Sequence, residues 1–170
     1  YDNTYPGCRV DSPNHIYSYS FEADHDWPHH FSTQEHLLEY FRTVADKYGL
    51  REHIRFNTEV TRLSWSDAAN TWTVTIRDKD GKQDQIVSRG VVSAVGQLNQ
   101  PKYPDIKGVE TFAGPSFHSA RWDHSVDLSG KKVGVIGTGA SAYQFVPEIA
   151  DKVGSMRVFQ RTAGWMAPTP

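Results

Sequence analysis

The spacing of apolar residues first becomes helical after a polar, aromatic and proline-containing opening of about 30 residues. In "FSTQEHLLEYFRTVADKYGL", residues 31–50, Ser32 and Glu35 match a capping box, in which two side chains satisfy free backbone N–H groups at the helix start. Gly49 is a typical helix terminator. The sequence therefore predicts a helix here. Its predicted buried face consists of Leu37, Leu38, Phe41, Val44 and Ala45.

From Ile54 onward the apolar period shortens to two residues. The runs "IRFNTEVTRLSW", "TWTVTIRD" and "QIVSRGVVSAVG" are rich in β-branched and aromatic residues, which favour strands. The tetrapeptide "DKDG" at 78–81 favours a tight turn between the last two runs. These patterns predict a strand followed by a meander.

A third pattern, "KKVGVIGTGASAYQFVPEIADKVGSMRVFQRT", predicts an apolar strand, a glycine turn, a helix and a second strand. We predict a parallel strand at 133–136 and mainly helix at 140–150. Gly137 would allow the tight turn, Gly139 would let a pyrophosphate approach the backbone, and Ala142 would permit close helix packing. The helix start, with Ala140 and Ser141, would face the phosphates. An ordinary glycine-rich turn is the alternative.

The end of the second strand carries Gln160, Arg161 and Thr162, where an NAD-binding domain usually has Asp or Glu for the ribose 2′-hydroxyl. A guanidinium and a hydroxyl suit a 2′-phosphate, whereas a carboxylate would repel it. Arg161 and Thr162 therefore predict NADPH as the nucleotide. A solvated charge at a strand end is the alternative interpretation of Arg161.

Composition narrows the expected partners. The 170 residues are 38% hydrophobic, which suits a globular core, and the 18 basic and 20 acidic residues give a net charge of −2. This balance favours neither nucleic acid nor an anionic membrane as a partner. With one cysteine and no apolar run approaching ~20 residues, a cytoplasmic protein is expected. Because the chain starts without Met and stops soon after the second strand, we expect an internal fragment.

Histidines concentrate in "DHDWPHH" at 24–30, with His36 nearby. Their spacing is not one that a helix or hairpin would converge on a single ion, so we predict a solvated loop and no metal site. Cys8 has no Cys-x-x-Cys partner and no adjacent base, so we expect it to pack rather than react.

The stretch "FAGPSFHSARWDH", residues 112–124, holds Phe112, Gly114, His118, Trp122 and Asp123 in fixed spacing. This pattern resembles the fingerprint of type I Baeyer–Villiger monooxygenases, whose relatives among the flavin-containing monooxygenases commonly have Tyr in place of the Trp. The segments "YPGCRVD", "YSYSF", "SAVGQLNQPKYP" and "VFQRTAGW" are similar to the same family, and most of all to its 4-hydroxyacetophenone monooxygenase-like group. At 163 and 164, Ala-Gly departs from the family's usual Pro-Asn.

The resemblance implies an α/β flavoprotein with two dinucleotide-binding domains, of which this chain would be a partial copy containing a β-meander. Residues 1–110 would belong to the FAD domain, 111–130 to a linker carrying the fingerprint, and 131–170 to the start of the NADPH domain. The implied reaction uses FAD, NADPH and O2: a C4a-peroxyflavin attacks a ketone, giving an ester or lactone. Without the upstream FAD motif, this chain alone is not expected to be active.

The resemblance also implies roles for single residues. Asp11 would lie by the flavin and support an active-site Arg located downstream, although an Asp before Ser-Pro can also simply form a turn. His118, on the linker, would couple domain movement to catalysis rather than transfer a proton. Cofactor contacts are implied at Tyr17, Val60 and Gln97.

Two other functions stay open at this point. The same flavin chemistry could oxidise nitrogen or sulfur, which Trp122-Asp123 argues against. A non-catalytic NADPH-binding module is the other alternative, and the family-like loop around Asp11 argues against it.

Overall fold

The computed structural model describes residues 2–96, 98 and 100–164. Its regular elements are α1 (Gln34–Lys47), β1 (Thr58–Ser66), β2 (Thr71–Asp78), β3 (Gln83–Ser88), β4 (Lys132–Ile136), α2 (Ala140–Ala150) and β5 (Ser155–Phe159). Short 3-10 turns cover Leu50–His53, Val109–Thr111 and Ser119–Arg121. The chain forms two compact units: residues 1–44 with 98–170, and residues 45–97.

Helix α1 starts one residue later than the capping pattern predicted. Thr33 precedes the helix, its carbonyl accepts the Leu37 N–H at 3.1 Å, and its hydroxyl lies 3.0 Å from His36 Nδ1. The predicted capping box of Ser32 and Glu35 is wrong, because Ser32 is fully buried and bonds elsewhere in the loop. Two neighbouring hydroxyl residues could both serve as a cap, and tertiary packing decided between them.

The buried face of α1 matches the predicted one only in part. Val44 is buried as predicted, and the half-buried members of the predicted face are Leu37, Leu38 and Ala45. Tyr40 and Val44 are buried, with 0% and 2% of their surface exposed, whereas Phe41 is 38% exposed. The Tyr40 hydroxyl can be buried because it accepts the Tyr19 N–H at 2.8 Å and donates to the Glu22 carbonyl at 3.0 Å. Tyr40 therefore binds the backbone of the loop before the helix through its hydroxyl. The spacing of apolar residues does not predict these hydrogen bonds.

A buried amide closes this loop further upstream. Asn14 is 1% exposed, and its Nδ2 donates to the His29 carbonyl at 2.6 Å and to the Ser32 hydroxyl at 2.7 Å. Its Oδ1 accepts the Ser32 N–H at 3.1 Å. Asn14 thus satisfies buried polar groups on a segment about 15 residues away, which fixes the course of the loop.

Asn14→Ala in the complete protein should lower the free energy of unfolding by about 2–3 kcal/mol, because it leaves the buried Ser32 N–H and hydroxyl without their partner. Urea denaturation measures the change. Gln85→Ala, at an exposed position of β3, is the control and should change stability by less than ~0.5 kcal/mol. If the two variants lose equal free energy of unfolding, the buried hydrogen bonds of Asn14 do not hold the loop.

The second unit holds the predicted meander, in which β1, β2 and β3 form an antiparallel sheet in that order. Trp65 and Trp72 face each other across β1 and β2, with ring centroids 5.4 Å apart. The turn after Asp78 is the predicted one: Gly81 has φ 84° and donates its N–H to the Asp78 carbonyl at 3.1 Å. Strand β3 ends at Ser88, so the apolar stretch at 91–96 was wrongly predicted to continue it.

In the first unit, β4 and β5 pair in parallel, in register from Lys132↔Ser155 to Ile136↔Phe159, and α2 connects them. The predicted strand–turn–helix–strand unit is confirmed. The unit's core cluster brings together Tyr5, Val135, Phe145 and Ile149. No helix in the described part of the chain has the length and apolarity needed to cross a membrane.

Candidate functional site

The turn after β4 depends on a glycine for its backbone. Gly137 has φ 105°, which other residues adopt only with strain, and its N–H donates to the Phe159 carbonyl at 2.8 Å. This bond ties the turn to the end of β5. The tight-turn role predicted for Gly137 is therefore what the structure shows.

Gly139, immediately before α2, differs from Gly137, because its own backbone does not require glycine. Its φ of −79° and ψ of 178° are extended values open to any residue, and a Cβ placed there would meet no described atom within 4 Å. No side chain of the described residues caps the helix at this position. The free N–H groups of the first turn, at Ala140 and Ser141, thus border open space, an arrangement that suits an anion.

Arg161 and Thr162 come after β5, separated from it by Gln160, and both are exposed. Because β4 and β5 are parallel, their carboxyl ends lie at the same edge, so Arg161 and the turn at Gly137 share that edge. Arg161 forms no ion pair with any residue that the structure describes. The guanidinium after β5 and the free N–H groups at the start of α2 are both groups that suit anions.

Gly164, which departs from the family pattern, lies close to α2. A Cβ at Gly164 would overlap the hydroxyl of Tyr143, which lies on α2 one turn after Gly139. The segment after β5 therefore passes directly against α2, and the Tyr143 side chain occupies the space that a residue larger than glycine would need.

The "YPGCRVD" loop packs on α2. Tyr5 is 7% exposed, its ring meets Phe145 edge-on at 6.2 Å, and burial raises the pKa of its hydroxyl to about 12. Gly7 has φ 71°, and a Cβ there would lie 2.8 Å from the Gln144 carbonyl oxygen. Cys8 packs against the core cluster as predicted, and burial raises the pKa of its thiol.

The remaining residues predicted to contact the cofactors have exposed side chains where the structure describes them. Asp11 is exposed, and so are Tyr17 and Val60, at 48% and 56% of their surface. Val60 belongs to the second unit, where it lies beside a register shift in β1. Gln97 lies outside the described residues. Asp11, Tyr17, Val60 and Gln97 stay predictions as cofactor or catalytic residues.

The fingerprint segment is shaped by close contacts. His118 precedes the Ser119–Arg121 turn, and its Nδ1 accepts the Ala120 N–H at 3.1 Å. A neutral ring in this bond carries its proton on Nε2. The His118 ring also meets Tyr103 edge-on at 5.5 Å. A Cβ at Gly114 would lie 2.8 Å from the Phe112 ring, so only glycine fits there without displacing that ring.

The end of the fingerprint is anchored on α2. The Trp122 ring lies 5.2 Å from Phe145 and 5.2 Å from Phe117. Asp123 accepts the Ser125 hydroxyl at 2.6 Å and the Ser125 N–H at 3.0 Å, and these bonds lower the pKa of the Asp123 carboxyl. Within the described residues, the contacts of the fingerprint side chains are packing and turn contacts.

The histidine-rich loop forms a shallow recess of about 340 Å³ lined by Asn14, His15, His25, Trp27, Pro28, His29 and His30. His15 and His30 have ring centroids 5.3 Å apart, and His29 and His36 5.6 Å. Among the described residues, no group of three or more His, Cys, Asp or Glu side chains could hold a metal ion.

Sequence reasoning missed two side chains of α2 that contact other segments. Gln144 bonds the "YPGCRVD" loop, and Tyr143 contacts the stretch after β5. The available signal was local: Gln144 is a polar residue in the apolar run "AYQFVPEI", on a half-buried part of the helix. A polar residue at such a position needs a partner, although the pattern does not say which one.

Comparison with known proteins gives a consistent result. A family model described as Flavin-binding monooxygenase-like matches residues 9–168. A "Baeyer-Villiger monooxygenase" from Streptomyces coelicolor is 49% identical over 98% of this chain. A second protein of that name, from Pseudomonas aeruginosa, is 43% identical over 99%. The chain spans 31% of the length of each of these relatives.

Solved structures show the same likeness. A crystal structure of OTEMO in complex with FAD and NADP is 38% identical, with a TM-score of 0.85, over 98% of this chain and 32% of the other. A steroid monooxygenase bound to NADP is 40% identical, with a TM-score of 0.81, over 98% of this chain and 32% of the other.

Proposed function

Because the chain belongs to the flavin-binding monooxygenase-like family, we propose that the complete protein is an FAD- and NADPH-dependent Baeyer–Villiger monooxygenase that converts ketones to esters or lactones. The predicted fold class, an α/β flavoprotein with two dinucleotide-binding domains, is confirmed by the structural likenesses. The observation that carries the functional proposal is the packing of the fingerprint residue Trp122 on α2, the helix whose uncapped first turn borders open space.

The described residues fit a bound NADPH. The backbone from Gly137 to Ser141 would hold the pyrophosphate, because the space beside Gly139 is open and the first-turn N–H groups are free for it. Arg161 and Thr162 would hold the 2′-phosphate. Asp11, Tyr17, Val60 and Gln97 are the proposed contacts on the flavin side. The flavin, when bound and reduced by NADPH, supplies the oxygen-transfer chemistry.

The proposed substrate is a small ketone, with O2 as co-substrate, and the proposed location is the cytoplasm. A related cyclohexanone monooxygenase has been crystallised with cyclohexanone bound, which makes that ketone a suitable first probe. The mixed charges of the chain, with a net charge of −2, support a small-molecule substrate rather than nucleic acid or an anionic membrane.

The complete protein tests the proposal directly. Purified protein should carry FAD, oxidise NADPH, and convert cyclohexanone to a lactone that mass spectrometry detects. A methyl aryl sulfide in parallel assays tests the heteroatom alternative: sulfoxide formation from the sulfide, without lactone from any ketone in a panel, would replace the proposed reaction by that one. Nucleotide binding without flavin would leave only the non-catalytic NADPH-binding module.

The proposed linker role of His118 makes a separate prediction. His118→Ala in the complete protein removes both the acceptor for the Ala120 N–H and the ring contact with Tyr103, so the linker loses its fixed course. We expect the variant to keep FAD, to be reduced more slowly by NADPH, and to release more hydrogen peroxide per ester formed, because misplaced domains admit water to the site. Stopped-flow absorbance and the peroxide-to-ester ratio measure both effects.

His118→Asn provides the matched control, since an Asn side chain can accept the same Ala120 N–H. It should recover part of the lost coupling. If His118→Ala keeps normal reduction and normal coupling, and changes only the pH profile, then His118 is an acid–base group and the linker role is wrong.

A further inference from the structure

The residues just before Asp11 form an extended segment that is paired along one edge by backbone. The Val10 N–H donates to the Ser32 carbonyl at 3.0 Å, and the Gln34 N–H donates to the Cys8 carbonyl at 2.9 Å. Successive residues of an extended chain direct their polar groups to opposite edges. The N–H and carbonyl of Arg9 therefore point to the other edge.

That second edge is filled by one side chain from α2. Gln144 Oε1 accepts the Arg9 N–H at 3.1 Å, and Gln144 Nε2 donates to the Arg9 carbonyl at 3.0 Å. The Tyr5 hydroxyl donates to the same Oε1 at 2.9 Å. The primary amide of Gln144 thus pairs with Arg9 as a peptide group of a neighbouring strand would, across a sequence separation of 135 residues.

The loop packs closely against α2 around this contact. Tyr5 is a neutral donor at ordinary pH, and burial raises the pKa of its hydroxyl further, to about 12. The backbone at Gly7 approaches α2 so closely that a Cβ would meet the Gln144 carbonyl oxygen and Glu148 Cγ, each at 2.8 Å. The loop can therefore not slide along α2 without breaking the Gln144 bonds or separating packed surfaces.

Arg9 and Gln144, the two residues joined by this contact, each lie close in sequence to residues of the proposed cofactor sites. Asp11, proposed to lie by the flavin, is two residues beyond Arg9. Ala140 and Ser141, proposed to bind the NADPH pyrophosphate, lie one helical turn before Gln144. We propose that Gln144 is a positioning residue that fixes the flavin-side Asp11 loop to the NADPH-binding helix, and so sets the approach of nicotinamide to flavin. This inference rests on the proposed function.

If Gln144 is a positioning residue, a conservative substitution should slow flavin reduction. If it only stabilises the fold, the same substitution should lower the melting temperature alone. Gln144→Met keeps the length and apolar stem of the side chain but loses all three hydrogen bonds. The substitution changes none of the residues proposed to contact the cofactors. It removes the bonds that fix the Asp11 loop relative to the start of α2. Hydride transfer is very sensitive to such displacement, since ~1 Å can cost about 100-fold in rate.

The experiment uses the complete protein with Gln144→Met, Tyr5→Phe, and Gln85→Met as a control on the exposed face of β3. We expect Gln144→Met to retain FAD and to bind NADP⁺ within about threefold of wild type, because the contacting residues are unchanged. Flavin reduction at saturating NADPH should slow at least about tenfold, and the NADP⁺-induced change in the flavin spectrum should diminish. Tyr5→Phe, which loses one neutral hydrogen bond, should slow reduction about two- to fivefold.

Hydrogen–deuterium exchange gives a readout that needs no cofactor: the Arg9 amide should be protected in the wild type and in Gln85→Met but exchange faster in Gln144→Met. Wild-type reduction rate and flavin spectrum in Gln144→Met, with only a lowered melting temperature, would overturn the positioning role. If Gln144→Met does not fold, Tyr5→Phe decides, and wild-type behaviour there overturns the inference. A wild-type protein that NADPH does not reduce would overturn the proposed function and this inference together.

Discussion

Gly139→Val in the complete protein is expected to lower the affinity for NADP⁺ at least about 100-fold while leaving the protein folded. The backbone at this position has φ −79° and ψ 178°, which valine adopts without strain, and a Cβ there would meet no described atom within 4 Å. The side chain would instead fill the space beside the first-turn N–H groups of α2, where we propose that the pyrophosphate binds. Isothermal titration with NADP⁺ and a thermal melt measure the two effects.

Gly90→Val is a matched control, because a Cβ at Gly90 also meets no described atom within 4 Å and Gly90 is no part of the proposed nucleotide site. It should leave NADP⁺ affinity within about twofold of wild type. Retained NADP⁺ binding in Gly139→Val would show that the pyrophosphate does not bind at this turn. A loss of folding in Gly139→Val alone would mean that the glycine serves the backbone instead.

Arg161→Ala is expected to raise the KM for NADPH by about 10- to 100-fold and to change the KM for NADH by less than about twofold. The difference arises because only NADPH carries the 2′-phosphate, and a hydrogen bond to a charged group contributes about 1.5–3 kcal/mol. Arg161 is exposed and without an ion pair among the described residues, so its removal should not destabilise the fold. Steady-state kinetics with both nucleotides measure the ratio.

Arg157→Ala controls for the loss of a positive charge on the same strand, since Arg157 is an exposed residue within β5. It should leave the preference for NADPH unchanged, apart from a small, salt-dependent effect. If Arg161→Ala weakens NADPH and NADH equally, Arg161 does not bind the 2′-phosphate, and the nucleotide preference must come from another residue.

Local sequence patterns were sufficient to predict the helices and strands and the glycine turn after β4. The apolar strand, the glycines and the helical spacing between 132 and 159 predicted β4, α2 and β5, because strand, turn and helix preferences act between near neighbours. The alternating runs likewise predicted the meander, with the turn at Gly81. The fingerprint ending in Trp122-Asp123 identified the family, which the comparisons support independently.

The sequence by itself thus determined the order and type of the elements, the position of the glycine turn after β4 and the family. Tertiary structure decided which of Ser32 and Thr33 precedes α1, that Tyr40 rather than Phe41 is buried, and that Gly164 lies against Tyr143. It also decided that Gln144 pairs with Arg9, 135 residues away. Each of these outcomes depends on which polar group or ring meets a distant segment, and the free energy of such a contact depends on burial and partner geometry that local spacing does not contain.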